Sequence, residues 1–454
     1  MTLSLSFFKP GRVTAQIPQN PCATTIAQAD QLYLEGDRTA AEELYRQCKS
    51  SPEEQDLETF FPEPITDPDQ LPPGGQVLWR EAQAGYEQGL ESRLFVPLEL
   101  LLQDYSEFVP AYRLMAQALE EYERDDEILD VLEQAATLFP NSADIAWARV
   151  TALQNADKPL EASIAARLFA IVNPDHPDVQ EFEEIAEDEF KSFRRQTRRE
   201  FGITGGLGVI GRVLLGGGST VSNALETIPM IRMLTSGEEG MGSRLAEAEI
   251  ENRILIEDPV IVDYVSRIGN DMATLMGRNE FEYEFYVIQD NSLNAFALPG
   301  GKVFVNSGSI LATNSEAELA GLLGHEVAHA VLSHGYQQMA RSNLLSTIGE
   351  VTSLSNITNL MTLNFSRNQE RQCDILGTRA LAGYGYAADG LYNFFVTLNE
   401  QSSGGQPEYL STHPATETRL QYLQALIQRN GYNRFAYEGV EEHNRIRQRL
   451  QELL

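Results

Sequence analysis

The chain has 454 residues, of which 34 are Lys or Arg and 66 are Asp or Glu, for a formal net charge of −32. So large a negative excess counts against nucleic-acid binding and simple adhesion to anionic lipid, and it disfavours very acidic substrates. Three cysteines exclude a disulfide-built scaffold, and the length leaves room for two or three domains with full cores.

Met1 to Phe8 lack a basic n-region and a long apolar core, so no ordinary signal peptide is read there. Cys22 opens one predicted helix and Cys48 closes the next, with Gly36 and Asp37 between them. An antiparallel hairpin turning near Gly36 brings those ends together. A Cys22–Cys48 disulfide is then geometrically reasonable and points to an oxidising compartment; two unrelated cysteines are the alternative. Residues 1–60 are read as a segment carrying this hairpin, and 61–76 as a Pro-rich linker.

Over 77–195, Pro110, Pro140 and Pro174 recur at intervals of 30 and 34, each ahead of or at a helix start. Between them lie apolar residues at helical spacing: Tyr112, Met115, Ala116, Leu119 and Tyr122, then Ile145, Ala146, Ala152 and Leu153. This predicts tetratricopeptide-like helix pairs offering a concave surface to protein partners; an ordinary helical domain is the alternative. Residues 196–240 form a Gly-rich connection. Within it, Phe201 to Leu225 carries one charge, Arg212, and follows the basic cluster Lys191, Arg194, Arg195, Arg198 and Arg199. A basic flank before an apolar stretch is how a membrane-contacting segment reads. Arg212 is costly in a bilayer, and the apolar part falls short of the roughly 20 residues a span needs. Packing between the repeats and the C-terminal domain is the preferred reading, with membrane association through 201–225 second.

The last domain, 241–454, holds the chemistry. Phe296, Leu298, Val303, Phe304 and Val305 are β-formers around Pro299-Gly300-Gly301, predicting a hairpin or strand edge. Such an edge, at Asn294, Ala295, Phe296 and Ala297, can pair with an extended peptide through main-chain hydrogen bonds; a structural turn burying Phe296 is the alternative. Ser315-Glu316-Ala317-Glu318 reads as a capping box, and Leu319, Leu322, Leu323, Val327 and Ala330 continue a buried helix from it. That helix carries His325-Glu326-Val327-Ala328-His329. Residues four apart share a face, so His325 and His329 can present imidazole nitrogens to one metal ion, while Glu326 is rotated off that line and can activate water.

A third ligand is required. A metzincin would need Gly at position 332 and His at 335; the chain has Leu332 and Gly335, with His334 one place early. On one continuous helix His334 would face away from His325. Glu370 and Asp374, an i,i+4 pair on a second predicted helix, are better placed. Glu370 could complete a His₂Glu set, and Asp374 could take a hydrogen bond from the outer nitrogen of a ligand histidine. His413, followed by Pro414, falls in a loop or at a helix start. It could donate to an oxyanion, or it could fill the metal's fourth position and hold the site in check.

The string Asn294-Ala295-Phe296-Ala297-Leu298-Pro299-Gly300-Gly301, the His325 motif, Ser366-Arg367 ahead of Glu370 and Asp374, and Thr412-His413-Pro414 together resemble the M48 (Ste24/HtpX-like) zinc metallopeptidases over roughly residues 240 to 425. The resemblance implies a gluzincin with one catalytic Zn²⁺ held by His325, His329 and Glu370, Glu326 as general base, and His413 and Arg419 beside the active site. It also suggests envelope-protein quality control as the setting. Cys373 stands where the family usually has a small residue such as Ala, a near-isosteric change. Repeat-bearing relatives carry their repeats after the catalytic domain; here they precede it, so cleft-to-repeat geometry is not carried over.

The sequence therefore predicts an α+β, predominantly helical protein: an N-terminal helical repeat module followed by a gluzincin-type zinc peptidase domain with a small sheet. It would hydrolyse polypeptide substrates in the cell envelope, periplasmic or membrane-associated. The rival is a repeat-bearing chaperone or assembly factor whose metal site is self-inhibited.

Overall fold

A computed structural model describes residues 22–49, 57–61, 63–201, 237–341, 365–401, 408–414 and 417–454. Of the apolar segment 201–225 only Phe201, at a helix end, is among them, so both readings of that segment lie outside the described residues.

The first unit is the predicted hairpin, α1 (Ala23–Leu34) and α2 (Arg38–Cys48). Gly36 turns the chain at φ +91°, and the Asp37 carboxylate caps α2 by accepting from Ala40 N at 3.2 Å. Cys22 and Cys48 are disulfide-bonded across the mouth, Cα to Cα 5.6 Å. The hairpin docks onto the far end of the chain, Ile26, Ala29, Ala41 and Tyr45 packing with Phe435 and Val440. Asp30 accepts from the Tyr45 hydroxyl at 2.6 Å and from the backbone N–H groups of Glu438 and Val440 at 2.8 and 3.0 Å. Buried Lys49 donates to Asp389 at 2.7 Å and to the Arg434 carbonyl at 2.6 Å, and pairs with Glu438.

After a short helix, α3 (Leu57–Phe60), comes an array of antiparallel helices: α4 (Pro73–Gln88), α5 (Glu91–Asp104), α6 (Val109–Glu121), α7 (Asp125–Leu138), α8 (Ala143–Asn155), α9 (Pro159–Val172) and α10 (Val179–Phe201). α4 starts four residues before 77, inside the expected linker, because proline at a helix's first position gives up an N–H that would be unpaired anyway. The linker is packed, Phe61 in the C-terminal core and Leu71 in the core of the array. The first three pairs repeat closely. Gly89, Glu123 and Asp157, 34 residues apart each time, take positive φ of 64°, 56° and 52°. After each, the next residue's N–H returns to a helix carbonyl: Leu90 to Gly85, Arg124 to Leu119 and Lys158 to Leu153. This 6→1 closure satisfies a terminal carbonyl and fixes the turn.

α9 joins the array to the rest. Leu160 and Ile164 share a cluster with Leu298, Phe304 and Tyr336, while Leu168, Ile171 and Val172 lie against the main core.

The C-terminal part has α11 (Gly237–Asn252), α12 (Pro259–Met276), β1 (Glu284–Ile288), β2 (Ala295–Leu298), β3 (Lys302–Asn306), α13 (Ser307–Ala312), α14 (Glu316–Val331), α15 (His334–Arg341), α16 (Arg367–Tyr384), α17 (Gly390–Gln401), α18 (Tyr409–Thr412), α19 (Glu417–Arg429) and α20 (Val440–Leu453). The three strands run in the order β1-β3-β2, with β1 parallel and β2 antiparallel to β3, so β2 is an edge as expected. Phe296 stacks on Phe304 at 5.1 Å and Tyr286 on its other flank at 4.7 Å. Gly300 makes the β2–β3 turn at φ +72°, and α11 presses on it so closely that a Cβ on Gly242 would stand 1.7 Å from Pro299 O. The fold is α+β and mainly helical with one small sheet, as the sequence predicts.

Unfolded, unreduced protein should return one free thiol, that of Cys373, since the other two are bonded. Replacing Cys22 and Cys48 by Ser should lower stability by about 3 kcal/mol in denaturant unfolding. Three free thiols would show the bridge to be absent.

Candidate active site

α14 is buried along its whole length. Its N-cap Ser315 accepts from Glu318 N at 3.2 Å, while Glu318 reaches Asn314 N at 2.9 Å, one residue further back than a standard capping box. α16 starts with a true capping box, Ser366 Oγ accepting from Gln369 N and Gln369 Oε1 from Ser366 N, which puts Glu370 in its first turn. The two helices meet at Gly324 and Gly377, where a Cβ on Gly377 would come 3.2 Å from His325 N. Small residues at this crossing let the two ligand-bearing backbones approach.

His325 Nε2 and His329 Nε2 lie 3.2 Å apart, and each stands 3.5 Å from one oxygen of Glu370. His413 Nδ1 is 2.8 Å from Glu370 Oε1, and the donor atoms of all four side chains fall within 4.8 Å of one another. All four are buried. Asp374 lies beside His325, its Oδ1 3.2 Å from Nδ1. Arg419 grips Asp374 with two bonds of 2.7 Å and places Nη1 2.6 Å from Glu370 Oε2. Such bidentate, charge-assisted pairing suits a buried carboxylate.

Burial is the largest influence on His325, His329, Glu326, Glu370 and Asp374, and for three of them their partners reverse it. It opposes a charged His325, but Asp374 and Glu370 outweigh it and raise that imidazole to about 9. It pushes His329 well below its ordinary value and lifts Glu326. Burial also opposes the charged forms of Glu370 and Asp374, yet His413 and Arg419 hold the first well below the carboxylate range and Arg419 holds the second below it.

The donor set fits a divalent metal. Two imidazole nitrogens and a carboxylate converge, and Glu326 Oε1 is buried beside them with no hydrogen-bond partner. Nitrogen and oxygen donors of this kind suit a borderline ion such as Zn²⁺.

Ala295, Phe296 and Ala297 lie in the edge strand β2 with Asn294 just before it, and the strand packs on α14. Phe296 is half-buried, so it serves the sheet as well as lying at the edge. The Asn294 carbonyl accepts from Asn306 N and Ser309 Oγ, both at 3.0 Å.

One expectation is corrected. His334 does not lie on the far face of a continuous helix, because α14 ends at Val331 and Ser333 takes φ +56°. Ser333 is held by buried bonds to Glu238 and Arg278, both 3.0 Å, and the turn folds His334 back until its Nδ1 is 3.1 Å from His329 Nδ1. Sequence reasoning also missed Tyr409, a buried residue whose ring stacks on His413 at 4.5 Å. Its backbone N–H donates to Leu293 O at 3.1 Å, tying α18 to the approach of β2. No local pattern signals either contact. Arg419, flagged through the family resemblance, does reach the site.

Residues 262–427 match the model of peptidase family M48. The beta-barrel assembly-enhancing protease of Yersinia pestis is 28% identical over 188 residues, 37% of this chain and 39% of that protein. The mitochondrial metalloendopeptidase OMA1 of Schizosaccharomyces pombe is 27% identical over 237 residues, 48% and 70% respectively. OMA1 of Bos taurus is 30% identical over 175 residues, 33% and 34%. The chain spans about two fifths of the length of the first curated relatives it matches. Over residues 262–427 the chain is similar to peptidase family M48, and the buried His/Glu group lies within that stretch.

Glu370→Ala should reduce metal bound per chain, and Asp374→Asn should weaken metal affinity by about 10–100-fold. Elemental analysis and chelator competition check both. Full metal content in Glu370→Ala would move the third ligand to another residue.

Proposed function

We propose that this protein is a zinc-dependent metalloendopeptidase that cleaves polypeptides, unfolded or misfolded envelope proteins among them. The observation that carries this is the convergence of His325, His329 and Glu370 on one point with, beside it, a buried Glu326 oxygen that has no hydrogen bond. His325, His329 and Glu370 would hold the Zn²⁺, which supplies Lewis-acid polarisation of the scissile carbonyl and of water. Burial lifts the Glu326 carboxyl toward the range where a general base works. Glu326 takes a proton from the attacking water and delivers it to the leaving amine. The β2 edge aligns the peptide by main-chain pairing, which asks little of substrate sequence.

His413 belongs to the same four-ligand group, which favours its second assignment, as occupant of the fourth position. The resting site is then closed, and turnover requires His413 and its stacked neighbour Tyr409 to move aside. This accommodates the rival reading, a chaperone or assembly factor with a self-inhibited site, as the closed state of a peptidase.

The helix array, read as tetratricopeptide-like, serves substrates or protein partners. Envelope placement is supported by the Cys22–Cys48 bridge and by relatives named for β-barrel assembly. Among the described residues no helix is long and apolar enough to cross a membrane.

With an unfolded test protein as substrate, Glu326→Gln should keep its metal and lose about 10²- to 10⁴-fold in rate. Chelation should abolish turnover and Zn²⁺ restore it. Absence of turnover in the wild type and in every His413 variant would favour the binding-protein reading. His413→Ala should raise turnover with metal retained; a fall would return His413 to the oxyanion role.

A further inference from the structure

Each histidine ligand of a metal has an outer nitrogen whose hydrogen bond fixes the ring's tautomer and orientation. For His325 that partner is Asp374. For His329 the group facing Nδ1 is another imidazole, His334 Nδ1, at 3.1 Å. His334 Nε2 in turn lies 3.1 Å from Gln372 Oε1, and all three side chains are buried.

The protons along this chain have one consistent arrangement. If His329 offers its Nε2 lone pair to the metal, its proton sits on Nδ1 and is donated to His334. His334 Nδ1 must then be the acceptor, so its proton sits on Nε2 and is donated to the Gln372 side-chain carbonyl. Gln372 lies two residues past Glu370 on α16, so the relay ends on the helix that supplies the third ligand. The left-handed Ser333, which breaks α14 just after His329, is what brings His334 into position.

We propose that His334 is a positioning residue for the metal centre: it accepts the outer N–H of His329 and anchors that ring, through Gln372, to α16. The two ligand histidines are then held by different chemistry, a carboxylate backed by Arg419 for one and a neutral imidazole backed by an amide for the other. The inference rests on reading His329 as a metal ligand.

A competing use of the same atoms must be weighed. His329, His334 and Cys373 form a second group able to hold an ion, Cys373 Sγ being 3.5 Å from His334 Nδ1. An ion there would need the Nδ1 lone pair of His329, which is available while Nε2 ligates only if the ring loses both protons. Proton counting favours the relay.

The test measures Zn²⁺ affinity by chelator competition on the full chain, together with the visible spectrum of the Co²⁺-substituted protein. His334→Ala should weaken binding by about 10–100-fold and alter the Co²⁺ spectrum. His334→Asn, whose carbonyl can accept near the place of Nδ1, should recover most of the loss. Gln372→Leu should shift affinity in the same direction by a smaller factor, and it serves if His334→Ala does not fold. Cys373→Ala should leave affinity and a stoichiometry of about one ion per chain unchanged. Wild-type affinity in both His334→Ala and Gln372→Leu overturns the proposal, as does equal loss in the Ala and Asn variants. A second ion that disappears in Cys373→Ala overturns it in favour of a second metal site. His329→Ala is the control: if it too binds metal normally, the ligand assignment has failed and not the relay alone.

Discussion

Everything in the C-terminal part depends on mutual compensation among buried ionisable groups. His325, His329, Glu326, Glu370, Asp374, His413 and Arg419 are all withdrawn from water within a few ångströms of one another. Each charge taken alone would cost several kcal/mol to bury. Arg419 answers Asp374 in a bidentate pair and meets Glu370 as well, Asp374 answers His325, and His413 answers Glu370. The carboxylates outnumber the fixed cations near them. A divalent ion at the convergence point would restore the balance.

That arrangement constrains the backbones that carry it. The imidazoles of α14 can meet Glu370 of α16 only if the helices touch, and the Gly324–Gly377 crossing permits it. The capping box at Ser366 sets where α16 begins, and so the rotation at which Glu370 enters. Gly321 makes a similar approach to α17, where a Cβ would stand 2.4 Å from Leu391 N. A helix buried on all sides holds a metal-binding face rigidly, which is what a preorganised site requires.

What was legible in the sequence was local. The i,i+4 spacing of His325 and His329, the Ser315 cap, the turn at Gly300 and the symmetry of Cys22 and Cys48 about Gly36 are each set by near neighbours. What was not legible depends on distant residues. The left-handed turn at Ser333 is held by Glu238 and Arg278, from segments about 95 and 55 positions away, so the return of His334 to His329 leaves no mark in the surrounding sequence. Docking of the N-terminal hairpin on Phe435 and Val440 is of the same kind. The repeat was only partly visible because its fixed points, Gly89, Glu123 and Asp157, share a backbone conformation but no side chain. The prolines that hinted at it are spaced 30 and 34 because they hold different places, Pro110 in the first turn of α6 and Pro140 and Pro174 in the connections after α7 and α9.

The repeat and the site are also joined mechanically. α9, buried on nearly every face, packs within the array on one side and against Phe304 and Tyr336 on the other. Phe304 is the central-strand residue on which Phe296 of the edge strand stacks. Tyr336 lies on α15, whose first residue is His334. A load on the array is therefore transmitted by direct packing to the strand that would align a substrate and to the helix that backs a metal ligand. In a closely packed interior such contacts transmit strain instead of absorbing it.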